Sequence, residues 1–263
     1  MHEIFLTAAV KSTDFDMACA VLSGLTWMKA RRTVYRILFF AGQPQPKGLP
    51  AIPPQNVFHR ERLGPDRQLW AELSKQLLRA SYILQVAYEA PLDTGFGKNT
   101  SMDFAALPAT LRWTDMPDPL RDSPITSRKK IEIPLLRGVP NVLHENKHTY
   151  THELIQESYS FIKGDVEIVF SRHYHLPDSP SRPVQQMPAF EELRPVDSAL
   201  KWVLNVKMNV TEDSQPDKLR KANEELMRVK TEFDKLFDFK VVDRRVFDTR
   251  IAQLPQVPGR RPP

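Results

Sequence analysis

Residues 150–176 read YTHELIQESYSFIKGDVEIVFSRHYHL, and this stretch decides the fold class. Two β-prone runs flank the short turn KGD at 163–165. In the second run, Val166, Ile168 and Phe170 share one face, with Arg172, Tyr174 and Leu176 in line, which is the two-residue period of a strand. The stretch therefore predicts an antiparallel β-hairpin in the middle of the chain.

Other segments extend this β-rich pattern outward. The stretch LKWVLNVKMNV at 200–210 places its lysines and asparagines on one face. The opposite face carries Leu200, Trp202, Leu204, Val206, Met208 and Val210. Further strands are predicted at 2–10, 32–41, 81–90, 109–114, 128–133 and 240–242. Helices are predicted at 14–26, 66–79, 140–147 and 215–237. Because the strands follow one another without a βαβ alternation, we predict an α+β fold: an antiparallel β-barrel of about eight to ten strands flanked by about four helices.

Length and composition favour one globular unit. The chain has 263 residues, of which 41% are hydrophobic and 26% are charged, so it has enough apolar material for a core. Its 23 prolines cluster between the predicted elements. We therefore predict a single barrel domain over residues 1–254, with Pro-rich loop insertions at 43–65 and 177–195 and a flexible tail at 255–263.

Charge and cysteine content exclude several classes of protein. The net charge of +5 is compatible with an acidic partner but is modest for a nucleic-acid-binding protein. The single cysteine, Cys19, excludes an intramolecular disulfide framework and a Cys-rich zinc module. No apolar run approaches the ~20 residues of a membrane-spanning helix, so we expect no membrane partner.

The segment His144-Glu145-Asn146-Lys147-His148 matches the H-E-x-x-H pattern of zinc hydrolases. In such enzymes a helix places two histidines on one face and a glutamate beside them as general base. Here the polar residues 146–147 give the helix no apolar backing, and the β-prone residues 149–151 indicate that it ends near His148. We therefore expect solvated or hydrogen-bonded histidines and no metal site.

A second chemical alternative is a metal-dependent barrel hydrolase. Asp165 and Glu167 alternate in a strand, and such acids can hold a metal ion inside a barrel when several strands supply them. The first strand offers Glu3 but then Phe5 and Thr7, so it lacks paired carboxylates. We expect Asp165 to serve the turn and Glu167 to be an outward polar residue.

Two basic clusters and one long helix also have structural interpretations. The clusters at 29–32 and 128–130 are expected to be solvated strand ends, with an anionic partner surface as the alternative. The helix at 215–237 has an apolar seam from Leu219 to Leu236 with alternating spacings of three and four residues. We expect this seam to pack on the protein's own sheet, although dimerisation through it is an alternative.

The helix at 14–26 is apolar nearly all round, which is unusual for a helix with one buried face. We expect one side, with Phe15, Cys19, Leu22 and Thr26, to cover the barrel. The other side is predicted to bind a partner helix, through Met17, Ala20, Val21, Gly24, Trp27 and Met28. The alternative is that the loop at 43–65 or the C-terminal helix covers this second side.

Four segments in this order resemble one known family. They are HEIFLT at 2–7 leading to GLTW at 24–27, LWAEL at 69–73, YSFIKG at 159–164 followed by VEI, and WVL at 202–204 with the later VDRRV at 242–246. Together they resemble the fungal form of subunit 18 of Mediator, the coactivator of RNA polymerase II transcription. The resemblance spans nearly the whole chain apart from the Pro-rich insertions.

This resemblance implies a non-catalytic structural subunit that regulates RNA polymerase II transcription in the nucleus. It implies a barrel shaped like the tunnel triphosphatases but without their catalytic residues, and without metal or cofactor. It further implies a place in the Mediator head module, a heterodimer with subunit 20 and contact with the C-terminal helix of subunit 8. Other head-module subunits and RNA polymerase II are further candidate partners, and no sequence-specific nucleic acid is expected. The alternative function is a metal-dependent barrel phosphohydrolase acting on polyphosphate or RNA 5′ ends.

Overall fold

The computed structural model describes residues 1–45, 66–90, 106–119, 123–177, 188–211 and 216–255. Its strands are β1 (His2–Val10), β2 (Arg31–Ala41), β3 (Ile83–Ala90), β4 (Ala109–Thr114), β5 (Thr126–Leu136), β6 (Thr149–Lys163), β7 (Val166–His175), β8 (Arg194–Pro195) and β9 (Trp202–Val210). Its α-helices are α1 (Phe15–Thr26), α2 (Arg67–Leu77), α3 (Val139–Glu145) and α4 (Pro216–Phe233). The predicted strands and helices are confirmed, with one exception near the C-terminus.

Eight of the strands close into an antiparallel barrel. The order around it is β6-β2-β3-β4-β5-β1-β9-β7, and the pairing of β6 with β7 completes the circle. The predicted hairpin is the closing pair, in register from Ile155 opposite Tyr174 to Lys163 opposite Val166. The short β8 adds to β7 outside this circle. The barrel prediction is therefore confirmed.

The apolar faces of the strands point away from the barrel axis and are covered by helices. One core lies between α1, α4 and strands that include β1, β7 and β9. A second core lies under α2 and α3, against β2 to β5. Along α4, the buried residues Ala222, Leu226, Val229 and Phe233 form the predicted seam, whereas Leu236 lies after the end of the helix and is 44% exposed. The seam packs on β1 and β9, so the expectation that it covers the protein's own sheet is confirmed.

The predicted strand at 240–242 is wrong. A single bridge joins Phe239 to Ala8 of β1, and the chain then forms a short 3₁₀ turn at Arg244–Phe247. The predicted Pro-rich loops and flexible tail fall largely on residues 46–65, 178–187 and 256–263, outside the described residues. Within the part of the chain that the structure describes, no helix is both long and apolar enough to cross a membrane.

Candidate functional site

The interior of the barrel is a polar cavity of about 280 Å³. Its charged lining residues come from β1, β4, β5, β7 and β9: Glu3, Arg112, Arg128, Lys130, Glu132, Glu167 and Lys207. Two expectations from the sequence are therefore wrong. Glu167 faces the lumen rather than outward, and Arg128 and Lys130 are lumen residues rather than solvated strand ends.

Five of these charges form a continuous ladder across three neighbouring strands. The Arg112 Nε atom lies 2.9 Å from Glu132 Oε1, and Lys130 Nζ lies 3.1 Å from that same oxygen. Lys130 Nζ also donates to Glu3 Oε1 at 3.1 Å, and Arg128 Nε donates to Glu3 Oε2 at 2.6 Å. On another part of the wall, Lys207 Nζ lies 3.1 Å from Glu167 Oε2. Each glutamate in the described lining is therefore paired with a cation.

Positive charge dominates the surroundings of the Glu3 carboxyl. Burial would raise the pKa of this carboxyl, but the neighbouring cations Lys130, Arg128 and Lys207 outweigh burial and lower its pKa to about 2. Glu3 is therefore ionised at any physiological pH. A carboxylate held in this state is a counter-ion for the ladder and is unsuited to proton transfer near neutrality.

The pairing pattern, rather than the presence of charge, argues against hydrolysis. Acids and cations do converge in the lumen, as a barrel hydrolase would need. The acids, however, lie one to a strand on β1, β5 and β7 and are paired with side-chain cations. Phe5 lines the cavity, and the Thr7 hydroxyl donates to Asn205 Oδ1 at 3.1 Å. Among the residues described, no group of three or more His, Cys, Asp or Glu side chains is arranged to hold a metal ion.

Sequence reasoning missed Arg112, Glu132 and Lys207 as lumen residues. A signal was present in the run RKKIE at 128–132, where Arg128, Lys130 and Glu132 alternate and must share one face of the strand.

The H-E-x-x-H segment does not form one helical face. Helix α3 ends at Glu145, and Lys147 has a left-handed backbone with φ of 64°. His144 and Glu145 are exposed, whereas His148 is buried and its Nδ1 lies 3.1 Å from the Asn146 carbonyl oxygen. The two histidines thus lie in different environments, which opposes a shared zinc ion. The absence of zinc remains a prediction for measurement.

The inner side of α1 is packed as expected. Ala18 and Leu22 are buried, and Phe15 stacks on Trp202 of β9 with 4.2 Å between ring centroids. Cys19 also packs against this core, and burial raises the pKa of its thiol to about 11, which makes it a weak nucleophile at neutral pH.

The outer side of α1 carries most of the residues predicted to bind a partner. Met17 is 68% exposed and Trp27, which has a left-handed backbone after the last helical residue, is 94% exposed. Ala20 and Gly24 are exposed, and Val21 is half-buried. The prediction for Met28 is wrong, because this side chain packs against the protein's own core and its Sδ accepts a hydrogen bond from the Ile162 amide at 3.0 Å. Helix α4 packs elsewhere, on β1 and β9. The loop at 43–65, the other proposed cover, lies mostly outside the described residues. The outer side of α1 therefore stays a predicted binding surface.

Comparison with known proteins gives consistent matches along the chain. The family described as Med18 protein matches residues 2–250. The chain is 24% identical to the Mediator of RNA polymerase II transcription subunit 18 of Aspergillus fumigatus, over 95% of this chain and 99% of that protein. The subunit 18 of Coccidioides immitis is 26% identical, over 95% of this chain and 100% of that protein.

A solved structure shares the fold. A chain in the structure of the Schizosaccharomyces pombe Mediator head module matches with a TM-score of 0.65 at 17% sequence identity. The match covers 92% of this chain and 99% of that chain.

Proposed function

Because this chain belongs to the Med18 protein family, we propose that it is a non-catalytic structural subunit of the Mediator complex. It acts in the nucleus, in the head module, and regulates RNA polymerase II transcription through contacts with other proteins. The observation that carries the proposal is the family match over residues 2–250. The paired charges of the lumen support the non-catalytic part, because each glutamate in the described lining already holds a cation.

The proposed partners are subunit 20, as a heterodimer, and the C-terminal helix of subunit 8, with other head-module subunits and RNA polymerase II as further contacts. We propose the outer side of α1 as the site for the subunit 8 helix. Ala20 and Gly24 lie one turn apart, and a Cβ atom added at Gly24 would meet no atom within 4 Å. These small residues allow a second helix to approach closely, with Met17 and Trp27 at the ends of the contact.

A co-purification experiment tests the complex as a whole. The full chain is expressed with subunits 8 and 20 of the same organism, and the proteins that purify with it are identified by mass spectrometry. The proposal predicts recovery of both subunits in stoichiometric amounts. Failure to recover any Mediator subunit, with a folded chain, would contradict the proposed function itself.

A charge on α1 tests the site. Because Ala20 is exposed, the Ala20→Glu variant should melt near the wild-type temperature when isolated. Burying this unpaired charge under a partner helix would weaken binding of the subunit 8 helix by at least about 100-fold. Val21 is a poorer choice because it is half-buried, so Val21→Glu would disturb folding as well.

The matched control is Met227→Glu, which places the same charge at another exposed apolar residue, on α4. This variant should bind like the wild type. If Ala20→Glu also binds like the wild type, the α1 site is wrong, while membership of the complex is judged by the first experiment.

A further inference from the structure

The segment 240–255, here called the C-terminal strap, follows α4 and runs around one mouth of the barrel. Its start is anchored, since Phe237 is buried and Phe239 packs against the core beneath α4. The Lys240 amide then donates to the Thr7 carbonyl of β1 at 2.9 Å. Further on, the Leu254 amide donates to the carbonyl of Gln45, beyond the end of β2, at 2.8 Å.

Between these points the strap bonds to β4 and β3. The Thr249 hydroxyl donates to the Thr114 carbonyl at the end of β4, at 2.9 Å. The Ile83 amide at the start of β3 donates to the Thr249 carbonyl at 2.7 Å. The Ile251 amide donates to the Ser81 carbonyl at 2.9 Å. Because neighbouring barrel strands are antiparallel, the ends of β1, β2 and β4 and the start of β3 lie at the same mouth.

One side chain of the strap reaches into the lumen. Phe247 lines the cavity, and its ring contacts Phe5 edge to face with 5.7 Å between centroids. The guanidinium of Arg128, the end of the charge ladder, lies 5.5 Å from the Phe247 ring and 5.1 Å from the Phe5 ring. Phe247 therefore covers the last charge of the ladder at this mouth.

The strap makes few contacts with the barrel relative to its length. None of residues 240–255 is buried. Its ion pairs Asp243–Arg245 and Asp248–Arg250 join strap residues to each other and hold its own shape. Arg250 also donates to the Met116 Sδ, just beyond β4, at 3.0 Å. Segments with little buried apolar surface and few backbone hydrogen bonds open at a lower free energy than the core of a domain.

We propose that the C-terminal strap is a lid that opens as one unit, pivoting near Phe239, while the barrel stays folded. Opening lifts Phe247 from the lumen and frees the Thr7 carbonyl on the edge of β1. The charge ladder then meets solvent at this mouth. This device is independent of the assembly proposed above, since it rests on contacts within the chain.

Residue-resolved hydrogen exchange on the full chain tests the lid. We expect the amides of Lys240, Ile251 and Ile83 to share one opening equilibrium and to exchange at least about 100-fold faster than Val86 in the middle of β3. Ile83 is decisive because it lies in β3 but donates to the strap. If Ile83 and Ile251 exchange as slowly as Val86, the strap opens only with the whole barrel and the proposal is wrong.

Two variants test whether the Phe247 side chain holds the strap closed. Phe247→Ala should accelerate exchange at Ile251 and Ile83 by about tenfold, because it removes an aromatic and a cation–π contact. Exchange at Val86 should not change. The neighbouring Val246→Ala, at a residue 72% exposed, should change none of these rates. Equal acceleration of Val86 and Ile251 by Phe247→Ala, or unfolding of this variant, would show that the strap belongs to the global folding unit.

Discussion

Replacing Glu3 by glutamine tests whether the charge ladder stabilises the barrel. The Glu3 carboxylate is buried and is the counter-ion of both Arg128 and Lys130. A pKa that falls from 4.5 to about 2 corresponds to about 3 kcal/mol of stabilisation at neutral pH. Removing one member of a buried ion-paired group typically costs about 3–5 kcal/mol, which is a similar magnitude. Glu3→Gln should therefore lower the free energy of unfolding by about 3 kcal/mol at pH 7.

The pH dependence separates this electrostatic effect from simple packing loss. Because the folded-state pKa of Glu3 lies below its unfolded value, its contribution is complete above about pH 4.5 and is lost as the pH falls toward about 2. At pH 3 the difference between wild type and Glu3→Gln should have shrunk to about 1 kcal/mol. Comparing the two proteins at each pH cancels the titration of the other groups.

Urea unfolding at pH 7 and pH 3 measures both values. The control is Glu224→Gln on α4, whose side chain is 65% exposed and whose pair with Arg220 should be worth less than about 1 kcal/mol at either pH. A difference for Glu3→Gln that is the same at both pH values would refute the electrostatic reasoning. A difference below about 1 kcal/mol at pH 7 would show that the ladder contributes little to stability.

Three further predictions follow from the site and the packing. The purified protein should release no phosphate from triphosphorylated RNA with magnesium or manganese, and turnover abolished by Glu167→Gln would overturn the non-catalytic assignment. Elemental analysis of protein purified without chelator should show no stoichiometric zinc, whereas one zinc per chain that is lost in His148→Ala would contradict the geometry of α3. Leu226→Ala, at a fully buried position on α4, should cost about 2–5 kcal/mol in chemical unfolding. Met227→Ala, at the exposed neighbour, should cost far less, and equal costs would contradict the packing of the seam.

The existence and type of most elements could be predicted from the sequence because their signals are local. Alternation from Trp202 to Val210 and the turn at Gly164 are read from neighbouring residues, and they predict β9 and the hairpin directly. The apolar seam of α4 likewise requires only its own spacing. The prediction of a strand at 240–242 is wrong because the tertiary position of these residues, and not their local propensity, decides their structure. They lie at the rim of the barrel, where a single bridge at Phe239 joins the chain to β1.

The residues that line the lumen could not be predicted, because alternation shows that a strand has two different faces but not which face points inward. In this barrel the apolar faces lie outside, under the helices, so the polar faces meet in the lumen. Glu3 and Lys130 are 127 residues apart in sequence, and only the pairing of β1 with β5 brings their side chains together. Lys130 was expected to be solvated from the sequence, but in the closed barrel it is buried and paired with Glu3. Local periodicity therefore determined the elements, while long-range strand pairing decided the chemistry of the interior.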